Sequence, residues 1–79
     1  MPYSGKHLCS LFEAAGWKFL RQNGTSHRMY GYGTMNETIP MHEELATGTE
    51  KAVIKSLKKS LEGREYPKKL QKLLKNKKL

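Results

Sequence analysis

Apolar positions near the start of the chain fall at helical spacing. Leu8, Leu11, Phe12 and Ala15 recur three or four apart behind Ser4, a residue type that caps helix N-termini. Gly16 supplies a left-handed stop, so a helix is predicted over 5–15. From Trp17 the period becomes two: Trp17, Phe19 and Arg21 fall on one face, and Lys18, Leu20 and Gln22 on the other. Asn23-Gly24 is a strong turn signal. Ser26 to Tyr32 reads as a second strand, with Gly31 and Gly33 suggesting a bend or bulge. Asn36 to Met41 reads as a third strand ending near Pro40. Thr47 and Glu50 form a capping-box pattern ahead of a helix carrying Ala52, Val53, Leu57 and Leu61, with Ile54 widening its apolar face and Gly63 stopping it. The order is α-β-β-β-α, an α+β class. Short connections make the strands antiparallel neighbours, and two helices on one face is the simplest cover for such a sheet. The opposite sheet face is then open to a ligand.

A domain of 79 residues buries only about 60% of its unfolded surface. It has little room for an enclosed cofactor, so none is expected, and chemistry should sit on an open face and act on a large substrate. Residues 1–62 are read as the domain and 63–79 as a basic tail. In that tail Pro67 occupies a favoured first helical position, and Leu70, Leu73 and Leu74 form a narrow stripe among lysines, a short helix marginal in isolation.

The net charge of +8 favours anionic partners. It is unevenly placed: residues 1–63 hold eight Lys/Arg against six Glu, and 64–79 hold seven against Glu65 alone. No stretch approaches the ~20 apolar residues of a membrane span. The N-terminus lacks the apolar run of a secretory signal, and a lone Cys9 suits a reducing cytoplasm.

Three histidines are candidates for chemistry: His7, His27 and His42. A zinc site needs a local pair of ligands plus a third or fourth. His7 and Cys9 are two apart on a helix and point apart, while His27 and His42 lack a completing thiolate or carboxylate, so no metal is expected. His27 follows a glycine turn beside Ser26 and Arg28. An imidazole can move a proton at neutral pH, and the guanidinium groups of Arg21 and Arg28 match phosphate geometry. Residue types alone leave two readings of His27 open, an acid–base group and an ordinary exposed strand histidine. His42 is a turn residue or a second acid–base group. Lys55 and Lys58 belong either to the wet face of the second helix or to a phosphate-facing stripe.

The chain resembles the HicA family of toxins from bacterial toxin–antitoxin modules over roughly residues 4–61. The resemblance is carried by Ser4-Gly5-Lys6, Ala15-Gly16-Trp17, Arg21-Gln22-Asn23-Gly24-Thr25-Ser26-His27-Arg28, Ile39-Pro40-Met41-His42, Gly48-Thr49 and Ala52-Val53-Ile54-Lys55-Ser56-Leu57. The family turn usually reads Gly-Ser-His or Gly-Ser-x-His; here it is Gly24-Thr25-Ser26-His27. The resemblance implies a double-stranded-RNA-binding-domain-like fold and cleavage of mRNA with His27 as catalytic residue. It also implies a HicB-like antitoxin that masks His27. A metal-independent endoribonuclease is the expectation, with Arg21, Ser26, Arg28, Lys55 and Lys58 as RNA-binding residues. A non-catalytic RNA-binding module of the same fold is the alternative.

Overall fold

The computed structural model describes residues 3–24 and 26–75. Thr25 of the first turn and the last four residues of the basic tail lie outside them. The elements in chain order are α1 (Gly5–Ala14), β1 (Lys18–Asn23), β2 (His27–Tyr32), β3 (Met35–Pro40), α2 (Thr47–Ser60) and α3 (Lys68–Leu74). The strands form one antiparallel sheet in the order β1-β2-β3. This is the expected α+β, double-stranded-RNA-binding-domain-like order, with a further helix at its end.

The Ser4 side chain accepts from the His7 backbone N–H at 3.0 Å and caps α1, as its residue type predicts. Gly16 ends the helix at φ 101°, a conformation that side chains with a Cβ rarely adopt. Leu8, Leu11 and Phe12 then meet Tyr30 and Ile39 from the sheet and Val53 and Leu57 from α2 in one buried cluster. Phe12 lies edge-on to Trp17, with ring centroids 4.7 Å apart. The buried indole N–H of Trp17 donates to Ser60 Oγ at 2.9 Å, and that hydroxyl donates onward to the Leu57 carbonyl at 2.7 Å. Both polar groups are thereby satisfied inside the core.

Three expectations need correction. The helix of Thr47 and Glu50 has no capping box: Ala46 is the N-cap and makes no side-chain bond, because the helix starts at Thr47 itself. Glu50 instead accepts from the backbone N–H of Tyr3, tying α2 to the chain ahead of α1. Pro67 precedes α3 as its cap rather than opening it.

The third correction concerns the sheet. The irregularity is in β1, not at Gly31 or Gly33. Phe19 pairs with Tyr30 and Arg21 with Met29, so Leu20 is the extra residue of a bulge. Gly31 is the signal that remains across the ladder, since a Cβ there would stand 3.0 Å from a Leu20 methyl. Gly33 instead turns the chain from β2 to β3 at φ 61°.

The start of the tail is packed. Leu70 and Leu74 are buried in the same core, and α3 lies against α1. Arg64 anchors the approach by donating to the Ser60 carbonyl at 3.0 Å, the Ala15 carbonyl at 3.3 Å and the Tyr32 hydroxyl. Burial of two leucines supplies what a seven-residue helix lacks alone.

Candidate active site

Cross-strand partners share a sheet face. Arg28 pairs with Ile39 and Tyr30 with Glu37, and the burial of Tyr30 and Ile39 identifies that face as the one under the helices. His27 and Met29 therefore lie on the other face, with Pro40 and Thr38 as their β3 partners. In β1 the partners on this open face are Asn23, opposite His27, and Arg21, opposite Met29.

The bulge decides which arginine stands with His27. Strict alternation would keep Arg21 on the face of Phe19. With Leu20 inserted, Arg21 crosses to the open face, where its Nε lies 3.3 Å from Met29 Sδ. Arg21 is then the diagonal neighbour of His27, two positions from Asn23 along β1. Leu20, 52% exposed, stands on the same face over Gly31.

Arg28 goes the other way. Its guanidinium carbon lies 6.0 Å from the Phe19 ring centroid, on the helix side, where its charge also reaches Cys9. The two arginines expected to share a phosphate with His27 are thus separated by the sheet. Ser26 keeps its expected place, with Oγ 3.0 Å from Nδ1 of the half-buried His27 ring. A bond at Nδ1 fixes ring orientation and leaves Nε2 for a substrate.

His42 comes to the same end of the sheet. Its ring centroid is 6.4 Å from that of His27, with the planes inclined by 66°. The segment that carries it, just past β3, is held by Met41 N–H donating to the Ser26 carbonyl at 2.6 Å and Gly5 N–H donating to the His42 carbonyl at 2.8 Å. His7 stacks instead on Tyr3, with centroids 4.9 Å apart. Among the described residues no group of three or more His, Cys, Asp or Glu could hold a metal ion.

Lys55 and Lys58 stand on the solvent side of α2, with Lys51 and Lys59, along a shallow groove floored by Ile54. The apolar side of α2, Val53 and Leu57, faces the core, so these lysines are on the far side of the molecule from His27. Lys51 and Lys59, at helical spacing from Lys55, complete the lysine-covered face that the helix pattern predicts.

Beneath the sheet, Tyr30 donates to Glu13 Oε2. Burial first, and then that bond, hold the Tyr30 hydroxyl well above the ordinary phenol range. Burial likewise pushes the Cys9 thiol up. These groups stay neutral and structural.

No helix among the described residues is long and apolar enough to cross a membrane. No curated protein and no solved structure is matched by this chain. A family model described as HicA toxin of bacterial toxin–antitoxin matches residues 5–58, from the first turn of α1 into the last turn of α2. That segment covers more than half of the chain and contains His27, Arg21 and His42, and the chain belongs to this family of HicA toxins.

Proposed function

We propose that the chain is the toxin of a toxin–antitoxin module and acts as a metal-independent endoribonuclease on mRNA, with His27 moving the proton. The observation that carries this reading is the place of His27. It lies on the uncovered sheet face, oriented by Ser26 and diagonal to Arg21, within the segment that matches the toxin family.

RNA brings its own nucleophile, the 2′-hydroxyl. The protein has only to take the proton of that group, hold the phosphate and let the 5′-oxygen leave. Ser26 fixes the ring, and a positioned imidazole contributes about 10²–10⁴-fold. Arg21 supplies charge for the phosphate oxygens from the same face. Arg28 supports the scaffold from beneath. Lys55 and Lys58 draw RNA in through their field and hold flanking backbone, away from the phosphate that is cut. The products are a 2′,3′-cyclic phosphate and a 5′-hydroxyl, and DNA is inert because it lacks the nucleophile.

The natural inhibitor is a HicB-like antitoxin seated over the open sheet face, masking His27. The substrate places the action in the cytoplasm. The test is expression in bacterial cells. Wild-type protein should arrest growth and fragment mRNA, His27→Ala should do neither, and co-expressed antitoxin should restore growth. Arrest by the His27→Ala variant with intact mRNA would overturn the reading.

A further inference from the structure

We propose that His42 is the second catalytic group, the general acid that faces His27 as general base across the scissile phosphate. This rests on the nuclease reading and completes it, because a single imidazole leaves the departing 5′-oxygen without a proton donor.

The geometry carries the assignment. The two ring centroids are 6.4 Å apart and the planes inclined by 66°. Rings this close and steeply inclined can each hydrogen-bond, at about 3 Å, a different oxygen of one phosphate held over both of them. The separation is built by the fold. His27 pairs with Pro40 at the end of the β2–β3 ladder, and the chain leaving that pair is stitched to its neighbours by Met41 N–H to Ser26 and Gly5 N–H to His42. Position 5 must be glycine for this approach, since a Cβ there would lie 1.9 Å from the Pro40 carbonyl oxygen. The first turn of α1 thus packs against the segment that presents His42.

The division of labour follows from surroundings. Ser26 Oγ engages His27 Nδ1 and leaves Nε2 facing outward; in the assigned role Nδ1 donates to that hydroxyl and the Nε2 lone pair accepts. His42 is exposed and takes up a proton from solvent between turnovers. In the step itself the 2′-oxygen attacks phosphorus and its proton passes to His27 Nε2. The bond from phosphorus to the 5′-oxygen breaks, and that oxygen receives a proton from His42. The histidines end with protonation states exchanged, and solvent restores both.

The test uses a short RNA with an ordinary 5′-oxygen at the cleaved bond and a second RNA with sulfur in that bridging position. A thiolate leaves without protonation, because a thiol has a pKa near 8.5, far below that of an alcohol. His42→Ala should slow cutting of the ordinary RNA by about 10²–10⁴-fold and cut the sulfur substrate within about tenfold of wild type. His27→Ala should be slow on both. His42→Ala should keep the wild-type melting temperature, since the side chain is exposed. A His42→Ala rate within about threefold of wild type on the ordinary RNA overturns the assignment. So does a loss that sulfur fails to restore. Wild-type protein that cuts neither RNA overturns the nuclease reading itself, and the assignment with it.

Discussion

Replacing Leu70 by alanine asks whether α3 belongs to the domain. Leu70 is fully buried, with 0% of its surface exposed, and it sits in the core that also holds Leu8, Phe12 and Leu57. Truncating a leucine so placed costs about 2–5 kcal/mol, the higher part arising where the surroundings cannot collapse into the space. A chain of this length has about 4–12 kcal/mol in all. One substitution therefore removes a large share, and each kcal/mol lowers the melting temperature of a domain this size by about 4–8 °C. A loss of about 3 kcal/mol predicts a fall of about 12–24 °C in thermal unfolding followed by circular dichroism. Lys69→Ala, exposed on the same helix, is the matched control and should stay within about 0.5 kcal/mol of wild type. If Leu70→Ala melts with Lys69→Ala and wild type, α3 does not dock and the tail is only a solvated basic arm.

Four further outcomes are expected. Ser60→Ala strands the buried indole N–H of Trp17 and should cost about 1–3 kcal/mol in urea unfolding. Arg21→Ala should lower kcat/KM on RNA by about 10²-fold, because the phosphate loses its charged donor, whereas Arg28→Ala, beneath the sheet, should leave cleavage within about threefold. Gly5→Ala should destabilise the fold by about 1–3 kcal/mol or more, since the new methyl meets the Pro40 carbonyl backbone and not a yielding side chain. Stability should also fall in alkali. Tyr30 and Cys9 hold their protons more tightly when folded than when unfolded. Above their unfolded values, about 10 for Tyr30 and about 8.5 for Cys9, the folded state binds more protons, so stability declines as pH rises and is flat below. Tyr30→Phe should flatten the decline, as measured by urea midpoints from pH 8 to 11.

Much of the fold was legible because short-range signals and long-range packing agree. Ser4, Gly16 and the stripe of Leu8, Leu11 and Phe12 mark α1, and the turn at Asn23-Gly24 sets the first hairpin. The bulge at Leu20 was not legible from its own strand. Leucine fits an alternating pattern without distinction, and the cue was Gly31 on the neighbouring strand, where a missing side chain makes room. Strict alternation puts Arg21 on the face of Phe19, so the face it shares with His27 follows only from the bulge. Arg28 was grouped with His27 by adjacency in sequence, yet neighbours in a strand point to opposite faces. The capping box is absent because the helix begins at Thr47 behind Ala46, one residue earlier than the pattern requires, which leaves Glu50 to accept from the Tyr3 backbone. In α3, the stripe of Leu70, Leu73 and Leu74 marks the helix, but a stripe so short does not show which surface it docks on.

The central claim is that His27, on the uncovered face of the sheet, cuts RNA by moving protons. Purified wild-type protein and His27→Ala, incubated with single-stranded RNA in the presence of a chelator and resolved on a gel, test it most directly. The account predicts cutting by the wild type alone, with fragments ending in a 2′,3′-cyclic phosphate. Equal cutting by both proteins, or cutting that the chelator abolishes, would contradict it.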